Sequence, residues 1–406
     1  MMITTFSRDW LIAAILGLIH GFLATVVYRY VPKPYMDEIF HIRQTRKYCK
    51  GDWSWDPMIT TPPALYLLAL PFCGMERYLN SILIGLTFVG FCRFRRLFVN
   101  ETIHLSALVT IIFPVLFQTS LLFYTDLLSV CTVIWGFSLS SPLLSSLMFA
   151  IATLTRQTNI VWAALKAGVR LLEDIDVSRP FISIFQSLLK LAPLILLAGL
   201  FCLFVLINEG IVLGDASAHN PRLHLVQFLY LVLFLTMHSW PHSIHRFREL
   251  LSRTFSPLSL ILVIPITLSA QFFAYDHPYL LADNRHVAFY LWRWWLSHTQ
   301  CRLLLTPLFI CSFIYIRELS SHLTPLVRIL FTLCSFAVTV PAHLIEPRYF
   351  IMPFVLWRLS ARTPNRLLVL AELLQEIFVF AFMFFLFIFK PFEWSNEPGV
   401  DQRFMW

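Results

Sequence analysis

Residues 33–63 read KPYMDEIFHIRQTRKYCKGDWSWDPMITTPP and form the longest polar passage in the first third of the chain. The passage holds several acidic and basic side chains, one histidine, two tryptophans and a Pro-Pro pair, whereas the sequence on both sides is mostly apolar. We interpret it as a functional loop, and the apolar remainder of the chain as the scaffold that holds the loop in place.

The composition indicates a membrane protein. Of the 406 residues, 58% are hydrophobic and 13% are charged, and the mean hydropathy is +0.71, whereas soluble proteins have about 25% charged residues. The net charge of +8 does not indicate a nucleic-acid partner, because the arginines and lysines lie in short clusters between apolar runs. Such clusters orient membrane helices. Membrane lipid is therefore an expected partner and nucleic acid is not.

The apolar runs predict an all-α fold with 11 to 13 membrane helices in one polytopic domain over residues 1–406. The first run, residues 10–28, is long enough to span a bilayer at about 20 residues per crossing. It is predicted to be a retained helix and not a signal peptide, which has a shorter apolar core. The run at 64–72 is too short to span, and we expect it to lie at the membrane interface.

Basic clusters after the second, sixth and eighth runs predict the orientation of the helices. With the N-terminus in the cytosol, these clusters lie on the cytosolic side and residues 29–77 form a loop on the opposite, luminal side. Most of the other polar motifs fall on the luminal side as well, while the helix count leaves the side of the EPRYF motif (346–350) open.

The eight cysteines show no CxxC spacing, and most of them lie inside apolar runs. Free cysteine behaves as a small buried hydrophobe. The sequence therefore predicts neither a disulfide framework nor a metal site.

Asp37, Glu38 and His41 are the first candidate catalytic residues. Helical spacing over 36–49 places Asp37 and His41 four residues apart on one face. A carboxylate near a helix start is favoured in its ionised form by the helix dipole. An ionised carboxylate beside a membrane cavity suits a general base, which takes a proton from a hydroxyl. The alternative is that Asp37 only caps the helix.

Further polar motifs supply candidate binding residues. Trp55 and Asp56 combine an aromatic face with a carboxylate, although an interfacial tryptophan belt is the alternative reading. Arginines can grip a lipid phosphate through two hydrogen bonds, with a topogenic charge or a local ion pair with Glu346 as the alternatives. The acids and histidines of GDASAHNPRLHL (214–225) match no zinc spacing. The candidates in these other motifs are Arg156, Asp215, His219, His224, Asp283, Arg285, His286 and Arg348.

Taken in order, the motifs resemble one family. PYMDEIFHIRQ, WSWDPMITTPPALYL, RQTNIVW, GD…LHL, HPYLLADNRH and EPRYF are similar to motifs of the dolichyl-phosphoglucose-dependent α-1,2-glucosyltransferases of the endoplasmic reticulum. The resemblance covers nearly the whole chain, and MDEIFH together with WDPMITTPP is its most specific part. It implies a GT-C type, multi-pass protein of the endoplasmic reticulum membrane with a luminal active site.

The resemblance also implies the substrates and the roles of the candidate residues. The donor is dolichyl β-D-glucosyl phosphate, the acceptor is a diglucosylated dolichyl-diphosphate oligosaccharide, and the α product makes the reaction inverting. No cofactor is expected beyond the lipid-linked donor. Asp37 is expected to be the base, with Glu38 and His41 orienting it or the acceptor, and Asp56 and Asp215 contacting sugar hydroxyls. Arg285, His286 and Arg348 are expected to stabilise the charge on the leaving dolichyl phosphate.

Two alternatives remain open at the level of sequence. A related transferase could move mannose or an earlier glucose on the same scaffold. A secondary transporter is less favoured, because it tends to show inverted repeats with broken helices, and we find no such repeat.

Overall fold

The computed structural model describes residues 2–215 and 221–406, with side chains from residue 7 onward. The chain forms two units, which are described separately. Unit 1 comprises Met1–Phe98, Thr119–Ala218 and Pro325–Cys334, and unit 2 comprises Val99–Gln118, His219–Thr324 and Ser335–Trp406.

Almost all regular structure in the described residues is helical, as predicted. The α-helices are α1 Met2–Tyr30, α2 Glu38–Cys49, α3 Ala64–Leu68, α4 Tyr78–Phe98, α5 Ile103–Ile112, α6 Pro114–Ser120, α7 Asp126–Ser138, α8 Pro142–Thr153, α9 Ile160–Asp174, α10 Pro180–Lys190, α11 Ala192–Ile207, α12 Val226–Ser239, α13 Phe247–Thr254, α14 Pro257–Leu260, α15 Val263–Phe272, α16 Pro278–Ala282, α17 Val287–Leu291, α18 Thr299–Leu304, α19 Thr306–Leu319, α20 Pro325–Thr339, α21 Ile351–Ser360 and α22 Arg366–Phe389. Short 3-10 helices cover Leu70–Phe72, Gln157–Asn159, Trp240–Arg246 and Pro347–Phe350, a π-helix covers Trp292–Leu296, and the strands are β1 Phe392–Trp394 and β2 Glu397–Gln402.

Several helices are long and apolar enough to cross a membrane. In the described part of the chain these are Ser7–Tyr30, Thr299–Leu319 and Arg366–Phe389. Three further pairs of helices pass the same test together but are bent by 62°, 67° and 69° at a short break. The structure is thus an all-α membrane protein, and the predicted first helix at 10–28 is confirmed.

The predicted 11 to 13 crossings exceed the three to six that the described helices provide by length and composition. Several predicted runs form apolar helices too short to pass the test, namely Asp126–Ser138, Pro142–Thr153 and Pro325–Thr339. Others are divided in the bent pairs, for a reason that proline explains. Proline lacks an N–H and disfavours helical geometry in the residue before it. The second helix of each bent pair has a proline in its first turn, namely Pro114, Pro193 or Pro257. One long apolar run therefore becomes two shorter helices.

In unit 1, α1 packs closely on α4 because glycines face the contact. A Cβ at Gly17 would lie 2.9 Å from the backbone oxygen of Ser81, so only glycine allows this approach. The buried imidazole of His20 lies 3.0 Å from the hydroxyl of Ser81 and 3.0 Å from that of Ser120. Both ring nitrogens are satisfied, as buried polar groups require.

In unit 2, α12, α21 and α22 share a buried ionic cluster. The guanidinium of Arg358 donates to both carboxylate oxygens of Glu372, at 2.6 and 2.5 Å. His242 lies 2.9 Å from Glu372, and His238 lies 3.0 Å from Glu376. Buried charges persist only when they are paired in this way. The cluster therefore joins these three helices within unit 2.

The C-terminal strands form an antiparallel pair that the sequence analysis did not predict. Arg403 follows β2 and donates to the backbone oxygens of Phe387 and Ile388, both at 2.9 Å. These are orphan carbonyls at the end of α22, where a cation is favourable. The hairpin is thereby fixed to the end of the last helix.

The expectation that the chain has no disulfides is wrong for one pair of cysteines. Cys49 and Cys73 are joined, with their Cα atoms 6.2 Å apart, while the other six cysteines are free. Cys49 ends α2, and the chain returns to it after 24 residues. No local spacing motif marks such a pair, because the contact depends on the turn made by the intervening loop.

Serine at Cys49 or Cys73 is expected to loosen residues 50–72. A disulfide that closes a loop of this length restricts the unfolded chain. Its loss is therefore expected to lower the free energy of unfolding by about 3 kcal/mol. We expect a lower thermal unfolding midpoint, with Cys202→Ser as the control because Cys202 is free and exposed. Peptide mapping under non-reducing conditions checks the bond itself. Recovery of separate Cys49 and Cys73 peptides from the wild type would contradict it.

Candidate active site

Asp37 immediately precedes α2, and His41 lies one turn further along. The backbone oxygen of Asp37 accepts from the N–H groups of Phe40 and His41, at 3.1 and 3.3 Å. Within the described residues, the side chain of Asp37 makes no capping hydrogen bond to α2. The half-buried carboxylate therefore does not cap α2, the alternative considered from sequence.

Glu38 is fully buried and holds this turn in place. Its carboxylate accepts from Arg77 Nε at 2.7 Å and from Nη2 at 2.6 Å, and also from the backbone N–H groups of Tyr35 and Phe123. Arg77 in turn donates to the backbone oxygen of Val31 at 2.8 Å. With its oxygens engaged in this way, Glu38 fixes the segment that carries Asp37. The geometry favours a positioning role for Glu38.

Tyr66 connects α2 to the loop that follows it. Its hydroxyl lies 2.9 Å from Nδ1 of His41 and 3.0 Å from Oγ1 of Thr61. Burial raises the pKa of Tyr66 well above its usual range, and the charges of Asp37 and Asp56 raise it further. The phenol therefore stays protonated and can orient the imidazole beside these carboxylates.

Residues 52–56 run back along α2. The side-chain amide of the buried Gln44 holds these residues through two hydrogen bonds. Its Nε2 donates to Ser54 O at 2.9 Å, and its Oε1 accepts from the N–H of Asp56 at 3.0 Å. Asp56 is buried, forms an ion pair with Arg43 and accepts from the N–H of Met58. Trp55 is half-buried, with its ring centroid 6.0 Å from that of Tyr66.

Segment 57–64 is the point where the other unit 1 motifs meet. The N–H of Asp215 donates to Pro57 O at 2.9 Å, and Gln157 Nε2 donates to Thr60 O at 2.8 Å. The N–H of Ala64 donates to Leu154 O at 2.9 Å. These bonds bring the RQTN and GD motifs against the WDPMITTPP loop.

Gly214 is required at this junction. It has φ +60°, and a Cβ there would lie 2.4 Å from Pro57 O and 2.5 Å from Ile59 O. A left-handed φ costs other residues about 1–2 kcal/mol. Glycine therefore allows the next residue, the exposed Asp215, to lie beside segment 57–64.

Arg156 is held by Asp126 at the start of α7, with Nη1 2.6 Å from Oδ1. Tyr124 lies two residues before Asp126. Its ring is edge-on to the ring of His41, with the two centroids 6.3 Å apart. Unit 1 thus gathers around one loop the site residues predicted in its sequence. These are Asp37, Glu38, His41, Trp55, Asp56, Arg156 and Asp215.

The unit 2 motifs are engaged within their own unit. His224 donates from Nδ1 to His343 O at 3.2 Å and accepts at Nε2 from the N–H of Tyr275 at 3.2 Å. Burial lowers the pKa of His224 to about 4, so the ring is neutral. Both nitrogens join loops of the protein, which favours a structural role over the predicted contact with substrate. His219 lies outside the described residues.

Arg285 is compensated locally. It donates to both carboxylate oxygens of Asp283, at 2.8 and 2.6 Å, and its guanidinium lies 4.7 Å from the ring centroid of Trp394. Burial opposes ionisation of Asp283, but its bonds to Arg285 and the nearby His286 hold its pKa below the usual value. Arg348 pairs with Glu346, the local alternative considered from sequence. Phosphate binding by Arg285, His286 and Arg348 stays a prediction.

Comparison with known proteins places the chain in a family. A profile described as the DIE2/ALG10 family matches residues 31–359. The chain belongs to the DIE2/ALG10 family. Its relatives include a human Dol-P-Glc:Glc(2)Man(9)GlcNAc(2)-PP-Dol alpha-1,2-glucosyltransferase that is 32% identical over 96% of each chain. Proteins with the same name are 30% identical in Arabidopsis thaliana, over 97% of this chain and 99% of the relative, and 29% identical in Yarrowia lipolytica, over 92% and 93%. No solved structure matches.

Three residues that shape the site of this DIE2/ALG10 family member are not evident from its sequence. No local sequence pattern marks Gln44 or Tyr66. The role of an amide or a phenol can be recognised only once its hydrogen-bond partners are known. Arg77 did carry a signal, because it stands at the start of an apolar run, where a buried charge is costly and tends to be retained for a reason. The adjacent Glu76 weakens that signal, because in the sequence Glu76 looks like a local partner for Arg77. In the structure, Glu76 pairs with Arg46 instead.

Proposed function

We propose that this chain is an inverting glucosyltransferase of the endoplasmic reticulum membrane. It transfers glucose from dolichyl β-D-glucosyl phosphate to the terminal glucose of a diglucosylated dolichyl-diphosphate oligosaccharide, in α-1,2 linkage. The observation that carries the proposal is the match over nearly the full length to relatives whose names specify this donor, acceptor and linkage. This is the last step of precursor assembly for protein N-glycosylation.

The proposed fold is of the GT-C type, with residues 29–77 as a luminal catalytic loop. The Cys49–Cys73 bond supports the luminal side, because disulfides persist in oxidising compartments such as the lumen of the endoplasmic reticulum and are rare in the cytosol. No cofactor is proposed, since the lipid-linked donor carries its own leaving group.

The proposed mechanism requires one base. Asp37 takes the proton of the acceptor 2-hydroxyl as its oxygen attacks C1 of the donor glucose. The bond from C1 to the phosphate oxygen breaks, dolichyl phosphate leaves with the electron pair, and the anomeric configuration inverts. His41, fixed by Tyr66, and Glu38, fixed by Arg77, position Asp37. Trp55, Asp56, Arg156 and Asp215 line the adjoining loop and contact the sugars.

Glucosyl transfer by the purified protein tests the proposal. Labelled dolichyl phosphoglucose and an acceptor lacking the last glucose should give a product heavier by one hexose in α-1,2 linkage. Cells without the protein should accumulate lipid-linked oligosaccharide short of one glucose. Accumulation of a species that lacks mannose would refute the assignment.

Alanine at Gly214 is expected to reduce activity although it adds only one methyl group. The strained φ and the contact with Pro57 O force the loop away from segment 57–64 and displace Asp215. We expect kcat/KM to fall at least about tenfold, which corresponds to about 1.4 kcal/mol. Gly210→Ala is the matched control, because a Cβ there meets open space. Equal activity of the two variants would show that the Gly214 contact is not needed.

A further inference from the structure

Trp53 is placed by the way α2 ends. Gly51 adopts φ +78° and donates from its N–H to Tyr48 O at 3.0 Å, while the N–H of Asp52 donates to Lys47 O at 3.0 Å. This is the Schellman pattern, in which a left-handed glycine reverses the chain after a helix. The reversal lays the ring of Trp53 on the buried Tyr48, with centroids 5.0 Å apart.

The loop around Trp53 is tied down on both sides. Asp52 Oδ1 accepts from the N–H of Ser54 at 2.9 Å, and the amide of Gln44 holds Ser54 at its backbone oxygen. The disulfide at Cys49 closes the same region. The backbone that carries the indole is therefore held in place before any ligand arrives, which reduces the entropy cost of binding.

Trp53 itself remains 63% exposed. Its neighbours Lys50, Asp52 and Ser54 are exposed too, and hydrogen bonds from Ser54 lower the pKa of Asp52. Burying these charges in hydrocarbon is costly, so the setting does not suit a lipid-facing side chain. An aromatic face has a negative quadrupole that attracts C–H groups. An exposed aromatic face whose neighbours in the chain are polar and charged fits a neutral sugar, whose C–H face can stack on the ring while its hydroxyls form hydrogen bonds.

We propose that Trp53, seated on Tyr48, is a platform that binds a distal part of the oligosaccharide acceptor. The proposal rests on the proposed function for the identity of that glycan. Ten residues of α2 separate Glu38 from Tyr48, or about 15 Å along the axis at 1.5 Å per residue. The platform is therefore too far from Asp37 to touch the reacting sugar, and it serves the mannose-bearing part of the acceptor.

Steady-state kinetics with two acceptors test this platform. One acceptor carries the complete mannose branches, and the other lacks the outer mannoses. Trp53→Ala is expected to raise KM for the complete acceptor about threefold to tenfold, the range for loss of one aromatic contact. The values of kcat, of KM for the donor and of KM for the short acceptor should not change. Trp53→Phe should keep most of the affinity.

Trp53→Leu separates sugar stacking from membrane anchoring, because leucine partitions into lipid but offers no ring. Under the proposal it behaves like Trp53→Ala. Wild-type KM for Trp53→Leu, or an equal rise of KM for both acceptors in Trp53→Ala, would overturn the platform. Trp240→Ala is the control, since Trp240 is 50% exposed in unit 2.

A binding measurement tests the platform independently of glucosyl transfer. Free high-mannose oligosaccharide is titrated into wild type and Trp53→Ala by calorimetry. Weaker binding to the variant supports the platform even if the wild type transfers no glucose. Equal binding to both proteins contradicts the platform even if transfer is observed.

Discussion

Asparagine in place of Asp37 is expected to lower kcat for glucosyl transfer by about 10²- to 10⁴-fold, the usual contribution of a general base. The amide has nearly the shape of the carboxylate, but it cannot accept the proton of the attacking hydroxyl. Because the side chain does not cap α2, its replacement should leave the helix intact. We therefore expect KM for both substrates and the unfolding midpoint to stay near their wild-type values.

Asp176→Asn is the matched control for this variant. Asp176 also carries a carboxylate in unit 1, but it is exposed, bonds to the N–H of Ser178 and has no proposed role in the site. We expect its turnover to remain within about twofold of wild type, as for most surface changes. Near-normal turnover of Asp37→Asn with both substrates bound would remove Asp37 as the base. Asp215, the exposed carboxylate beside segment 57–64, would then be the next candidate to test.

Alanine in place of Arg77 is expected to destabilise the protein by about 3–5 kcal/mol, the cost of leaving one partner of a buried ion pair alone. Glu38 is fully buried and would lose both hydrogen bonds from the guanidinium. The turn that carries Asp37 would also lose the bond from Arg77 to Val31. Both stability in detergent and kcat should therefore fall, and thermal unfolding with transfer assays measures them.

Two further variants make this prediction specific. Adding Glu38→Gln to Arg77→Ala removes the unpaired charge and should restore part of the stability. Arg170→Ala breaks an exposed pair with Glu173, and such pairs contribute about 0–1 kcal/mol. If Arg77→Ala and Arg170→Ala were equally stable, the Arg77–Glu38 pair would not hold the segment.

The sequence was sufficient for features that depend on local pattern. A long apolar run predicts a membrane helix, and residues 10–28 and α22 agree with that reading. The polar passage at 33–63 proved to be the loop around which unit 1 gathers its other motifs. Asp37 and His41 could be chosen in advance because they are four residues apart, the spacing of one helix face.

Other features depend on partners distant in sequence. Arg77 and Glu38 are 39 residues apart, and nothing in either neighbourhood announces the pair. The same holds for the disulfide, and for the C-terminal hairpin that reaches Arg285 through Gln402 at 3.1 Å. Asp283 is close to Arg285 in sequence, but its hydrogen bonds to the guanidinium depend on a local bend that the spacing does not show. Phosphate binding by Arg285 stays a prediction.

The bond between Cys49 and Cys73 also bears on how the protein is made. Both cysteines lie in the first fifth of the 406-residue chain, and α1 is the long apolar helix that precedes them. The proposed catalytic loop can thus be covalently closed during translation, while the ribosome is still producing the rest of unit 1 and nearly all of unit 2. An enzyme that completes the glycan for secretory proteins would itself depend on the oxidative folding machinery that those proteins use. Expression in a reducing cytoplasm is accordingly expected to yield a chain whose helices insert but whose loop stays open.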